Sequence, residues 1–302
     1  MVLSRSENTH ADVIETNCKL HTSVERINFN FDTQKLGCFP RVAIGKRFER
    51  VPNAVFVHHP RISYKQDWFK DENERKLFLA SWDSLKEWME SAFSGARWIN
   101  RPSATLRNKN ILGQLQLATT IGFKTPDTIF TNSKEELLSF ACNDLVVIKQ
   151  GNLGVHLENK CILTSQINAG TIDPNILNGS PCLFQKYIPK RYELRVHVIG
   201  DQVLSCKIES QVGKKTLIDW RNYDLPNTPH KAIELESLIA RKCVDLVRKL
   251  GLEFGIIDLI VNPEGEYVFL ECNSQGHWLW IEELTSLPIT KTLCENLLKG
   301  PP

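Results

Sequence analysis

No stretch of this 302-residue chain approaches the ~18–20 consecutive apolar residues of a membrane-spanning helix. Its N-terminus, MVLSRSENTHADVIE, has no apolar core of the kind a secretory signal carries. The nine cysteines include no C-x-x-C pair, and their odd number and scatter argue for free, mostly buried thiols in a reducing compartment rather than a disulfide framework or a zinc site. Net charge is only +2, so there is neither a basic field suited to nucleic acid nor an acidic tail. Internal repeats and low-complexity tracts are missing. So is any G-x-x-x-x-G-K-[ST] loop, which excludes a P-loop nucleotidase, and so are the kinase H-R-D and D-F-G signatures. What is present, 42% hydrophobic and 24% charged residues, is the composition of a globular protein with room for two or three lobes. The expectation is a soluble, cytoplasmic protein with neither membrane nor nucleic acid as partner.

Along the chain, residues 1–95 mix weak strand signals, RINFNFD and NAVFVHH, with a helical pattern from about Glu72 to Phe93. There Leu77, Trp82, Leu85, Trp88, Met89 and Ala92 recur at near-helical spacing. WINRPSATLRNKN interrupts that pattern and marks a lobe boundary. The spacing then predicts a helix over 107–121 that stops at Gly122. KTPDTIFTNSKEELLSFAC reads as strand, loop and helix, with Ser133 as N-cap and Glu136 completing a capping box. DLVVIKQGNLGVHLE is a buried strand entering a glycine-containing loop, CLFQKYIP a short strand, and ELRVHVIGDQVLSCKIES a hairpin turning at Gly200-Asp201. An amphipathic helix over 234–250 (Leu235, Leu238, Ile239, Cys243, Leu246, Val247, Leu250) is closed by Gly251. FGIIDLIVNPEGEYVFLECN is a second hairpin and PITKTLCENLLKG a terminal helix. Helices and antiparallel hairpins are mixed rather than strictly alternating, so the class is α/β or α+β with several lobes.

The second hairpin carries the chemistry. Strict alternation would put Tyr267, Phe269, Glu271 and Asn273 on one face and Val268, Leu270 and Cys272 on the other. A loop of even length at Asn262-Pro263-Glu264-Gly265 brings Asp258 opposite Glu271 or one diagonal step away. Two unit charges ~4 Å apart interact by ~1 kcal/mol in water and ~4 kcal/mol at an effective dielectric near 20. A half-buried carboxylate pair therefore calls for a cation. Oxygen-only donors suit Mg²⁺ that keeps waters and shares phosphate oxygens; solvated edge charges, or salt bridges to Lys or Arg, are the plainer alternative. Lys149 ends the apolar strand LVVIK before QGNLG, whose glycines let backbone amides approach an anion. Lys109 is expected on the polar side of a helix, and alternation puts Arg195 on one face with Glu193 and His197. Each of these is also a common surface charge.

Taken in order, these parts resemble an ATP-grasp ligase. LFQKYIPKRYELRVHVIGD, FGIIDLIVNPEGEYVFLECN and GHWLWIEELTSLPI, with WINRP, LATTIGFKTPDTIFTN and IDWR, resemble more closely the ATP-grasp ribosomal-peptide maturases of the microviridin (graspetide) type, over roughly residues 96–298. The resemblance implies a multi-lobe ATP-grasp fold: an N-terminal lobe over 1–95, a central lobe over 96–181 and a C-terminal lobe over 182–302, with ATP between the last two. It implies Mg²⁺ on Asp258, Glu271 and Asn273, and phosphates gripped by Lys109 and Lys149. Gln185 would face the adenine amino group, the backbone at Tyr187 and Ile188 the base edge, and Glu193 the ribose hydroxyls. Arg195 and Arg221 would steady the γ-phosphate and the substrate carboxylate. The implied reaction activates Asp or Glu side chains of a precursor peptide as acyl phosphates. Ser, Thr or Lys side chains then displace phosphate, closing macrocyclic esters or amides. The leader of the precursor would bind outside the cleft, and family habit suggests a homodimer.

This sequence departs from the family at its N-terminal lobe, where AVFVHHPRIS replaces a Trp-Tyr-Arg-Arg-like stretch, and at Cys272 and His277. A ligase adding free amino acids to a peptide or protein, and a nucleotide-binding regulator without turnover, are the competing readings. Trp278 and Trp280 either flank a peptide groove or pack the final helix. Residues 213–222 are either a closing loop or a solvated connection, and His197 and His277 are read as structural.

Overall fold

The computed structural model describes residues 1–5, 7–28, 51–60, 66–142, 144–149, 165–171, 181–213, 215–220 and 224–301. Three sheets organise them. The first is parallel, with β1 (Val2–Ser4), β2 (Arg26–Asn28), β3 (Ala54–His58) and β4 (Arg97–Ile99) in the order β2-β1-β3-β4. Helices α1 (Thr9–Lys19) and α2 (Glu72–Ala92) connect its strands, and α3 (Pro102–Arg107) and α4 (Ile111–Ile121) follow. The second sheet is antiparallel: β5 (Thr128–Thr131), β6 (Leu145–Lys149), β7 (Ser165–Asn168) and β8 (Cys182–Lys186) in the order β5-β8-β6-β7, with α5 (Lys134–Ala141) against it. The third is a five-stranded antiparallel sheet ordered β11-β10-β9-β12-β13. Its strands are β9 (Tyr192–Ile199), β10 (Gln202–Ile208), β11 (His230–Ile233), β12 (Phe254–Val261) and β13 (Tyr267–Asn273), with α6 (Ser237–Lys249), α7 (Leu279–Thr285) and α8 (Ile289–Leu298) beside them. No helix among the described residues is long and apolar enough to cross a membrane.

The five-stranded sheet is buried on both faces, for two different reasons. Leu194, Val196 and Val198 of β9, with Ile257, Leu259 and Val261 of β12, pack under α4 and α6 through Leu115, Ala118, Ile239, Cys243, Leu246 and Val247. The opposite face is covered at one end by α1, α7, α8 and the parallel sheet, where Ile199, Ile208, Phe254 and Ile256 meet Ile14, Phe56, Trp278, Ile281 and Leu293. The other end of that face is left to the polar side chains described below.

The helix expected over 107–121 is broken. Asn108-Lys109-Asn110 forms a turn, and Asn110 caps the second piece by accepting from the Gly113 amide at 3.1 Å. Gly122, with φ of 93°, ends α4 as expected, in a conformation that a side chain would disfavour. In α2 the apolar stripe is used only toward its C-terminus: Trp82, Leu85 and Met89 pack on the parallel sheet, whereas Leu77 is 70% exposed. Leu238 of α6, expected on the core face, is 55% exposed: at about 100° per residue it is turned away from the stripe formed by Leu235, Ile239, Cys243 and Leu246, which is buried. At α5 the capping box is half made. Ser133 Oγ accepts from the Glu136 amide at 3.2 Å, but the Ser133 amide goes to Thr131 Oγ1 at 3.0 Å. Cys18, Cys142, Cys182, Cys206, Cys243, Cys272 and Cys294 are free thiols.

Side-chain amides tie β13 to its surroundings. Asn100 is buried and accepts from the amides of Glu253 (2.9 Å) and Phe254 (3.0 Å) while donating to the carbonyls of Phe254 (2.7 Å) and Ser274 (2.9 Å). Gln114 of α4 accepts from the Cys272 amide at 2.7 Å and donates to its carbonyl at 3.1 Å, a carbonyl that Asn108 also reaches at 2.8 Å. Removing Asn100 leaves four backbone groups, three of them buried, to be rehydrated or left unpaired. Asn100→Ala is expected to lower stability by about 2–4 kcal/mol, read as a lower urea midpoint at unchanged slope; a shift within error would contradict this account of the junction.

Candidate active site

The last hairpin does not run in simple alternation. Val261 pairs with Tyr267 across a five-residue connection, Asn262 to Glu266, so the loop is odd rather than even. The register then slips between Asp258 and Leu259: Leu259 faces Phe269, while Asp258 faces Glu271, with Leu270 as the extra residue. Such a bulge points two consecutive side chains to one face. Leu270 and Glu271 both line the cleft, whereas Tyr267, Phe269 and Cys272 turn to the α4–α6 side. The expected face-sharing of Tyr267 and Phe269 with Glu271 is therefore corrected, and the expected opposition of Asp258 and Glu271 is met by a different route.

Around that pair the polar groups converge. Asn273 Nδ2 donates to Glu271 Oε1 at 3.2 Å and to Asp258 Oδ2 at 3.3 Å. On the other side of β12, Arg195 is the cross-strand partner of Asp258, and its Nη1 donates to both carboxylate oxygens at 2.9 and 3.2 Å. Both are almost fully withdrawn from water, Arg195 6% and Asp258 8% exposed. The chain leaving β13 lies against Arg195: a Cβ on Gly276 would come within 2.7 Å of Ile256 Cδ1 and 3.2 Å of Arg195 Nη2, so any larger residue would have to push those side-chain ends aside. Nη2 itself donates to the His277 carbonyl at 3.4 Å. Among the described residues no group of three His, Cys, Asp or Glu is arranged to hold a metal ion. The set here is instead two carboxylates and a carboxamide, hard oxygen donors of the kind Mg²⁺ takes.

The cleft that this set borders is lined from both antiparallel sheets. β6 and β8 with the residues after it supply Val147, Gln185, Tyr187 and Ile188; the five-stranded sheet supplies Glu193, Asp258, Ile260, Leu270 and Glu271. Gln185 is buried and donates to Thr128 Oγ1 at 3.0 Å. The Tyr187 amide is committed to the Leu145 carbonyl at 3.1 Å. Glu193 accepts from Lys190 Nζ at 2.9 Å; burial pushes its carboxyl up, against the pull of that ammonium.

Lys109 is exposed in the turn between α3 and α4, not on a helix. It lines a second cavity of about 830 Å³ that also touches Glu271 and Asn273 and reaches α2. Lys149 ends β6 and its backbone pairs with Leu183, but its side chain, the loop after it and Arg221 lie outside the described residues. The structure thus gathers Asp258, Glu271, Asn273 and Arg195 at one end of the cleft and Gln185, Tyr187, Ile188 and Glu193 along its walls.

Several residues of the site were not singled out from sequence. Lys190 was within the quoted strand LFQKYIPK, three residues before its partner Glu193, and its Nζ also donates to the Ile218 carbonyl at 2.7 Å. That contact ties down the segment before Arg221: Thr216 and Asp219 are buried, and Ile218, Asp219 and Trp220 border the cleft. Trp278 is a core residue, its Nε1 donating to Thr290 Oγ1 at 3.1 Å, so it flanks no groove.

Burial sets the nearby imidazoles and thiols. It takes His197 down to about 3, with Arg195 adding to the effect, and His10 to about 3, with His277 and His59 adding. The Cys272 thiol is pushed far up by burial and by Asp258, which keeps it inert beside the carboxylates. An unfolded imidazole takes its proton near pH ~6.5, so between that value and about 3 the unfolded chain binds more protons than the folded one. Stability is therefore present above the ordinary imidazole range and is lost as pH falls through that window. Urea midpoints are expected to drop steadily on acidification below about pH 6.5, and a His10→Gln variant, which keeps an acceptor for the Trp278 amide, should show a shallower drop; an equal slope would remove His10 from the account.

No family model matches the chain. In fold it is similar to the RiPP-associated ATP-grasp ligase of Chryseobacterium gregarium, solved with ADP and a leader and core peptide: TM-score 0.83, 25% identity, covering 100% of this chain and 96% of that one. It is similar to the macrocyclase MdnC of Microcystis aeruginosa MRC bound to the precursor peptide MdnA, at TM-score 0.82, 23% identity and coverage of 99% and 98%. The ATP-grasp ligase PsnB, solved with a minimal precursor, Mg and ADP, superposes at TM-score 0.76, with 22% identity and coverage of 99% and 96%. A curated relative, N-acetylaspartylglutamate synthase A of Homo sapiens, is 23% identical over an alignment of 208 positions that covers 65% of this chain and only 50% of that protein. From its first residues to its last helix, this chain has the α/β ATP-grasp fold of the ligases crystallised with ribosomal precursor peptides.

Proposed function

We propose that the protein is an ATP- and Mg²⁺-dependent ligase that closes ester or amide crosslinks within a ribosomal precursor peptide. The observation that carries this reading is the convergence of Asp258, Glu271, Asn273 and Arg195 at one end of a cleft whose walls bear Gln185, Tyr187, Ile188 and Glu193. Full-length likeness to peptide-bound ligases supports the peptide as substrate. The expected lobe limits at 95/96 and 181/182 would each part a strand from its sheet, β4 from the parallel sheet and β8 from the second, so limits after Ile99 and Lys186 fit this reading better.

In this assignment the adenine lies against Leu270 and Ile260, with Gln185 at its amino group. Because the Tyr187 amide is already bonded, the Tyr187 carbonyl and the Ile188 amide address the base edge. Glu193, held by Lys190, accepts from the ribose hydroxyls. Asp258, Glu271 and the Oδ1 of Asn273 would hold Mg²⁺, which supplies neutralisation of the charge that builds on the transferring phosphoryl group. To serve as ligands, Asn273 would have to present Oδ1 where Nδ2 now meets the two carboxylates, and Asp258 would have to share the oxygens that now accept from Arg195.

The Arg195 guanidinium, with Arg221, Lys109 and Lys149, then steadies the γ-phosphate and the incoming substrate carboxylate. The carboxylate oxygen attacks γ-phosphorus and ADP leaves, giving an acyl phosphate. A hydroxyl or amine of the same peptide then adds to the acyl carbon, inorganic phosphate departs, and the nucleophile's proton is lost. Positioning and charge stabilisation account for the catalysis, and no protein nucleophile is required.

A second reading, addition of a free amino acid to a peptide, is favoured by the partial likeness to N-acetylaspartylglutamate synthase A. Mass spectrometry after incubation with Mg-ATP and candidate precursors separates the two: loss of one water per linkage supports macrocyclisation, a mass gain supports amino-acid addition, and absence of ADP release points to a regulator. Glu271→Ala and Asn273→Ala are each expected to cut product formation by on the order of a hundredfold or more with the circular-dichroism spectrum retained. Unchanged product from either would remove the metal assignment.

A further inference from the structure

The guanidinium of Arg195 has partners that the phosphate chemistry does not call on. Its central carbon lies 5.0 Å from the ring centre of Trp220 and 5.9 Å from that of Trp280. The two indoles stack on each other at 5.2 Å, 24° from parallel, and His230 of β11 meets Trp280 edge-on at 5.4 Å. Trp220 comes from the segment after β10 and Trp280 from α7, so two distant parts of the chain meet at one cation. A guanidinium over an indole is attracted by the ring's quadrupole, and more strongly where water is excluded. Arg195, 6% exposed, is in that stronger regime.

The hydrogen bonds of Arg195 act along one edge of its fork. Nη1 is held by Asp258, Nη2 makes a long contact to the His277 carbonyl, and Nε has no hydrogen-bond partner among the described residues. These bonds hold the tips of the fork, and the aromatic pair flanks the guanidinium beside them. The distinction matters once Asp258 turns to a metal ion, because Arg195 then loses its strongest polar partner. What still holds the guanidinium in the cleft is the stack. Trp220 borders the cleft itself, while Trp280 stands behind it, packed partly against the cluster of α1, α7 and α8.

We propose that Trp280 is a positioning residue: by stacking on Trp220 and on the guanidinium, it keeps Arg195 aimed at the γ-phosphate when Asp258 is released. This rests on the reading in which Arg195 contacts that phosphate. The role differs from plain core packing in one measurable way. Loss of packing weakens every nucleotide alike, whereas loss of the aim weakens only those that carry a γ-phosphate.

The test is calorimetric titration of the full chain, in magnesium chloride, with a non-hydrolysable ATP analogue and separately with ADP. Trp280→Met, which keeps bulk but no ring face, is expected to weaken the analogue by roughly tenfold and ADP by less than about twofold; Trp280→Phe should restore most of the loss. Equal weakening of both nucleotides, or of neither, would overturn the proposal. Should Trp280→Met fail to fold, tryptophan emission replaces it. The analogue, but not ADP, is expected to change the emission of the wild type, and Trp280→Phe to diminish that change; emission that responds identically in the two proteins overturns it. Neither readout needs turnover. The macrocyclase reading stands or falls separately, on whether the wild type removes water from a precursor.

Discussion

One inserted residue in β13 governs what the rest of the site can be. The connection from Asn262 to Glu266 sets a register in which Val261 faces Tyr267, and that register, continued, would put Leu270 opposite Asp258 and Glu271 opposite Ile257. Glu271 would then point at Cys243 and Leu246 beneath α6, a bare carboxylate in an apolar core, at a desolvation cost of several kcal/mol. The bulge at Leu270 removes that conflict. It keeps Phe269 and Cys272 in the core and presents Leu270 and Glu271 side by side to the cleft, an apolar surface next to an ionic one. Two neighbouring side chains on one face of the sheet are something a regular strand cannot provide.

The Arg195–Asp258 pair is the electrostatic counterpart. Two carboxylates and one guanidinium leave the site formally negative, with the Asn273 amide bridging the acids in place of a cation. A buried ion pair is close to neutral in net stability, because desolvation of both partners offsets their attraction. That balance makes the pair a modest contributor to stability, although stranding either partner alone would be costly. The pairing also answers the two alternatives that the sequence left open for the carboxylates. A salt bridge is present, and it engages one acid in a set whose geometry still suits a metal.

Local periodicity in the sequence already specifies much of this architecture. The two hairpins, the capped helices at Ser133 and Gly122, and the common face of Glu193, Arg195 and His197 follow from alternation and turn chemistry alone. Asp258 and Glu271 were matched correctly although the loop parity was not, since an error of one in the loop and an unforeseen bulge cancelled. What alternation could not give were features decided by distant parts of the chain. Leu77 and Leu238 continue apolar stripes beyond the surface available to cover them. Asn100, Asn108 and Gln114 look like ordinary polar residues until the strand they hold, more than a hundred and fifty positions away, is in place. The aromatic surroundings of Arg195 were not legible either, because Trp220 and Trp280 meet it from unrelated segments.

Gln114 lends this architecture a property of its own. By offering an acceptor to the Cys272 amide and a donor to its carbonyl, a helix side chain reproduces what a sixth strand would do at the rim of the sheet. The rim is thereby sealed against recruitment of a foreign strand. The same contact makes α4 a lever: Cys272 lies between Glu271 and Asn273, so any force drawn along that helix arrives at the two oxygen-bearing residues on either side of it.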